Sequence, residues 1–104
     1  MSWPYLSFDT FFHGEFVPTG TASQFPNIPC AMVRFKATKA NTGTIYIGSS
    51  SAVTYTNNVT DTNSGFELGS LDDSGWIPVK NLNVFWAIGT VATDSITYWA
   101  FGVN

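Results

Sequence analysis

Apolar and polar residues alternate in short runs along this chain. Residues 30–37 read CAMVRFKA, which puts Ala31, Val33, Phe35 and Ala37 on one side and Arg34 and Lys36 on the other. A period of two marks a strand with one buried face. After the turn residues Asn41, Thr42 and Gly43, the run TIYIG at 44–48 reads as its returning partner. Further short strands are expected at 53–56, 66–68, 76–79, 83–89 and 95–103, with Pro78 confining its strand to an edge or a bulge. The alternation places Val33 and Phe35, Ile45 and Ile47, the set Val84, Trp86 and Ile88, and one face of 96–101 in the core. Seven or eight strands at roughly 8–12-residue spacing fit an antiparallel sandwich or a small barrel. No window shows the 3.6-residue period of an amphipathic helix.

The first twenty residues read differently. Residues 1–16 carry six aromatic rings, and Pro18, Thr19, Gly20 and Thr21 then punctuate the chain. His13 and Gly14 are expected to turn a short hairpin between 7–12 and 15–17. The expected organisation is an aromatic-rich N-terminal arm over 1–20 and a β-sandwich domain over 21–104. Covering six rings yields roughly 25 kcal/mol, and ordering sixteen residues costs about as much. The arm is therefore ordered only where nearly all its rings are covered. A partner chain or the domain's own surface can supply that cover. The partner reading makes Trp3, Tyr5, Phe8, Phe11, Phe12 and Phe16 an interface, and strands at the two chain ends are expected to leave sheet edges for neighbours.

Composition narrows the class. The 104 residues include 13 Thr, 8 Val, 6 Ile and 17 aromatics against 4 Leu, a β-favouring mixture, so the fold class is all-β. Only 11% of residues are charged and the net charge is −3. That balance argues against nucleic acid or an anionic membrane as partner. One cysteine excludes an internal disulfide. The start MSWPYLSFDTFF lacks a basic region and carries Asp9 among its apolar residues, so no secretory signal is expected, and no apolar run is long enough to span a membrane.

Candidate chemistry is sparse. A metal site needs clustered ligands, and the chain has one His and one Cys, seventeen positions apart at His13 and Cys30. A packed or exposed imidazole and a small buried thiol explain them better than a nucleophile pair. Asp72 and Asp73, near Glu67, read as turn-capping carboxylates rather than an acid–base pair. Asn58-Val59-Thr60 matches a glycosylation sequon by chance if no secretory route exists. Trp76, Trp86 and Trp99 are candidates for stacking on sugars, weighed against core or interface roles. The expectation is a non-enzymatic protein with no catalytic residues, metal or cofactor.

Residues 19–50, TGTASQFPNIPCAMVRFKATKANTGTIYIGSS, resemble small structural proteins of tailed bacteriophages. The likeness continues through Gly65-Phe66-Glu67-Leu68, Trp76-Ile77-Pro78-Val79, Asn81-Leu82-Asn83 and the segment from Thr93 to Tyr98, covering about 19–101. Its motifs are turns and strand faces, with no catalytic residue among them. The resemblance implies a jelly-roll-like or related sandwich in a virion, assembled in the bacterial cytoplasm. It implies a capsid decoration or cement subunit that contacts the major capsid protein or another virion protein and forms a homo-oligomer, with a trimer favoured. The alternative it leaves open is a fibre, neck or tail domain that binds a host-surface glycan.

Overall fold

The computed structural model describes residues 10–55 and 63–102. The described residues form eight strands: β1 Thr10–Phe16, β2 Ser23–Gln24, β3 Met32–Ala37, β4 Ile45–Gly48, β5 Phe66–Leu68, β6 Asp73–Pro78, β7 Trp86–Gly89 and β8 Ile96–Gly102. They build two four-stranded antiparallel sheets, ordered β1-β8-β3-β6 and β2-β7-β4-β5. The pairs β1–β8, β2–β7, β3–β6 and β4–β5 are those of one long hairpin with its tip between β4 and β5. The hairpin is rolled so that β3 meets β8 and β4 meets β7. Eight strands in this order form a jelly roll, a β-sandwich that buries one face of each sheet.

The core follows the alternation. Val33, Phe35 and Ala37 of β3 and Ile96, Tyr98 and Ala100 of β8 point inward against Ile45, Ile47, Leu68 and Ala87 of the second sheet. At its centre, Phe25 packs against four rings. Its centroid lies 4.2 Å from Phe16, 5.1 Å from Phe35, and 6.4 Å from both Phe85 and Tyr98. Phe85 also meets Phe35 edge-on at 5.0 Å.

Three expectations need correction. First, residues 10–16 are one continuous strand in register with β8 from Thr10↔Gly102 to Phe16↔Ile96, so His13 and Gly14 do not turn a hairpin. Gly14 lies opposite Tyr98, and a Cβ there would collide with the phenol ring. Glycine in this strand thus marks a close approach rather than a turn. The described part of the expected arm is therefore a strand of the sandwich. Phe12 and Phe16 pack on the core instead of facing a partner, because strand alternation turns them inward while Phe11 faces out. Trp3, Tyr5 and Phe8 lie outside the described residues, as does the 58–60 sequon.

Second, the strand around 83–89 presents the opposite face. Residues Leu82–Val84 form a 3-10 turn capped by the Asn81 side chain, which accepts from Asn83 N–H. That turn changes the phase: Leu82, Phe85 and Ala87 reach the main core, while Val84 is 46% exposed. Trp86 and Ile88 lie on the outer face of the second sheet, where Ile88 is buried, as expected, in a separate cluster with Tyr46 and Val53 and Trp86 is partly buried against it. Third, β8 is an interior strand flanked by β1 and β3, so among the described strands β1 lies at an edge and β8 does not.

The polar groups at one end are satisfied by a lock between two turns. Asn41 Nδ2 donates to Ser95 O at 2.7 Å, and Ser95 N donates to Asn41 Oδ1 at 2.9 Å. The buried Asp94 carboxylate accepts from Thr42 N at 3.1 Å and Gly43 N at 2.7 Å. Buried polar groups persist when paired in this way.

Replacing Phe25 by Ala removes the ring that all four neighbours share. The expected cost is about 3–5 kcal/mol by cavity creation, read from a denaturant titration. A cost below about 1 kcal/mol would place the ring outside the cooperative core.

Candidate functional site

The two sheets treat their outer faces differently. On the second sheet, Val53, from the segment after β4, packs against Tyr46 and Ile88, with Trp86 and Ala22 beside them. Among the described residues no segment covers the outer face of the first sheet in this way, and that face carries large side chains.

Its composition follows from register. The pairings align Phe11, Phe101, Met32 and Pro78 in one row across β1, β8, β3 and β6. The next row is His13, Trp99, Arg34 and Trp76, and the third is Glu15, Thr97, Lys36 and, after a bulge, Asp73. Successive rows are about 7 Å apart, two strand residues. The bulge lies between the Arg34 and Lys36 pairings, where Gly75 takes φ +73°, a left-handed conformation suited to glycine.

The first two rows form an aromatic band. Phe11 lies 5.6 Å from Trp99 at an interplanar angle of 70°, and 4.9 Å from Phe101. Trp76 lies 5.0 Å from Phe101. Trp99 is 54% exposed, Phe11 53% and Trp76 37%. Burying such rings stabilises a fold; leaving several together in solvent marks a contact surface.

The second and third rows enclose a groove of about 890 Å³, lined by Trp99 together with His13, Glu15, Thr97, Lys36, Arg34 and Asp73. Arg34 Nε donates to both Asp73 carboxylate oxygens, at 2.8 and 3.0 Å, and Arg34 Nη2 lies 2.8 Å from Asp73 Oδ2. The guanidinium also lies 5.9 Å from the Trp76 ring centroid. Glu15 Oε2 accepts from Ser95 Oγ at 2.7 Å, which ties the groove to the Asn41–Ser95 lock.

The other candidates separate from this face. Cys30 precedes β3 and packs on the core, where its thiol donates weakly to Val79 O at 3.5 Å and burial raises its pKa. His13 lies on the outer side of the sheet, so the two do not form a nucleophile pair. Asp72 accepts from Gly69 N at 2.9 Å, the expected turn role, whereas Asp73 both accepts from Gly75 N and pairs with Arg34. Trp86 belongs to the other sheet, leaving Trp76 and Trp99 together. Among the described residues no three His, Cys, Asp or Glu side chains are grouped to hold a metal ion. Alternation along 95–103 already separates Trp99 from the core side. The pairing with Arg34 and His13 carries no local signal, because it depends on which strands become neighbours.

Comparison with protein-family models, curated proteins and solved structures returned no match. The face therefore has to be understood from its own chemistry, and its ion pair provides a test. The Arg34 hydrogen bond, then the Gly75 N–H, hold the Asp73 carboxyl below its ordinary pKa. A lowered native pKa contributes stability above the unfolded value, near 3.9, which is lost as pH falls through the native value. The stability difference between the protein and Asp73→Asn is thus expected at neutral pH and should close in acid, at a pH below the native value. Urea titrations at both pH values check it; a difference that persists in acid would refute an ionic origin.

Proposed function

We propose that this chain is a non-enzymatic structural subunit of a tailed-phage particle, a decoration or cement protein. It docks on the shell and on neighbouring copies through the outer face of its first sheet. The observation that carries this reading is the aromatic band in which the rings of Phe11, Trp99 and Trp76 are exposed. The phage assignment rests on the sequence resemblance. Jelly rolls serve viral capsids and lectins alike, so the fold is compatible with the assignment by analogy alone.

Assembly into a homo-oligomer, a trimer by the same resemblance, has a second support. β1 is seven residues long and pairs only with β8 among the described strands. A strand edge of that length offers main-chain groups to a neighbour.

A second reading, a fibre, neck or tail domain that grips a glycan, is favoured by the groove beside Trp99. The two readings share the second row, Trp99 included, but the band extends to Phe11 and Trp76, which do not line the groove, so they separate by mutation. The double variant Phe11→Ser, Trp76→Ser leaves the core untouched. It should keep the far-UV circular dichroism of the parent and lose particle attachment by at least about tenfold, roughly 1.4 kcal/mol. Sedimentation at tens of micromolar should show an oligomer for the parent and a smaller species for the variant. A parent that stays monomeric, or a variant that attaches as the parent does, would overturn the docking reading.

A further inference from the structure

We propose that the groove between β1 and β6 is a binding site for a neutral saccharide chain, with Trp99 as the stacking platform. The inference rests on the glycan reading above and names the ligand class.

The chemistry begins with the platform. Trp99 projects from an interior strand, is half exposed, and is braced on one side by the edge contact with Phe11. An indole face carries negative quadrupolar charge, which suits the weakly positive C–H face of a sugar ring. Sugars also present hydroxyls around that ring, and these need both donors and acceptors. The row about 7 Å away supplies both: Glu15 accepts, Lys36 donates, and Thr97 lies between them in register. Thr97 Oγ1 already donates to Lys36 O at 3.1 Å, leaving its lone pairs to accept.

Charge selects the class. Two of the chain's four basic residues, Arg34 and Lys36, line this groove, yet two carboxylates, Glu15 and Asp73, balance them. Arg34 and Asp73 neutralise each other in a bidentate pair, and Glu15 and Lys36 remain as opposite charges. A phosphate or uronate polymer calls for a cationic excess, which is absent here. A neutral polyol meets a site whose charged groups are already paired or opposed. The Arg34–Asp73 pair and its contact with Trp76 also hold one wall in place before binding, which lowers the ordering cost.

Size selects a chain over a single ring. The groove volume, about 890 Å³, lies in the range of ligand sites. Its lining comes from all four strands, and three interstrand gaps span about 14 Å.

The test titrates the intact protein with neutral hexasaccharides built of glucose, galactose, mannose or N-acetylglucosamine, and separately with oligogalacturonate. Affinities are read by isothermal titration calorimetry, so that the Trp99 variants report as well, and in the parent Trp99 Nε1–H is followed by NMR. At least one neutral hexasaccharide should shift that resonance, with an affinity little changed between low and high salt. Trp99→Ala and Lys36→Ala should each weaken binding about tenfold or more, Trp99→Phe less so. Phe66→Ala, on the exposed edge strand β5, should bind as the parent does. Circular dichroism confirms that each variant is folded. Binding of oligogalacturonate alone would overturn the neutral class and leave the glycan reading standing. No shift with any probe at millimolar concentration would overturn both and leave the docking reading untouched. Neutral binding that survives Trp99→Ala in a folded protein would overturn the assigned site.

Discussion

Phe25 is 2% exposed and touches rings from β1, β3 and β8 of one sheet and the segment entering β7 of the other. It follows β2 directly, and its N–H donates to Phe85 O at 3.0 Å, so its backbone belongs to the second sheet while its ring contacts the first. Each aromatic pair adds about 0.5–1.5 kcal/mol beyond the area it buries. The cluster therefore fixes how the rolled hairpin closes, and the open face depends on it indirectly. Phe16 can join Phe25 only if β1 runs alongside β8, and that pairing brings His13 beside Trp99.

This dependence explains what could be read from the chain alone. β3 and β8 were legible because their alternation is undisturbed and each buries one face, so Val33, Phe35, Ile96, Tyr98 and Ala100 fall where the period of two puts them. The strand around 83–89 misled because a 3-10 turn ends at Val84 and resets the phase, and because Ala87, its small inward residue, carries less signal than Trp86 and Ile88. β1 misled because Gly14 reads locally as a turn. Its absent side chain instead makes room for Tyr98, 84 positions further along, and no local pattern reports that. β2 has two residues and escaped notice, since so short a strand has no period to detect.

The candidate site was legible in parts. The separate signals were Trp76 and Trp99 as exposed-ring candidates, Phe11 as an interface residue and Asp73 as a turn residue. Their convergence was not, because rows across a sheet are set by strand order, and strand order is a long-range property. The partner interface assigned to the first sixteen residues divides along the same line. Alternation sends Phe12 and Phe16 inward, where the cluster needs them, and leaves Phe11 to the outer face.

Nothing in the core requires the outer face to be aromatic. Thr97, Trp99 and Phe101 alternate with core residues on the same strand, and Thr at all three positions would preserve the inward face. Exposed Trp and Phe give up much of the hydrophobic stabilisation that burial would provide. The second sheet shows the other solution, with Val53 laid across Tyr46 and Ile88. The same face also gathers half of the basic residues in a chain with few charges, each set against a carboxylate on a neighbouring strand or two strands away. Rings left in solvent beside balanced charges gain little for the isolated sandwich. They gain most when a surface with its own apolar face and polar rim covers them, and docking partner and saccharide chain both have that character.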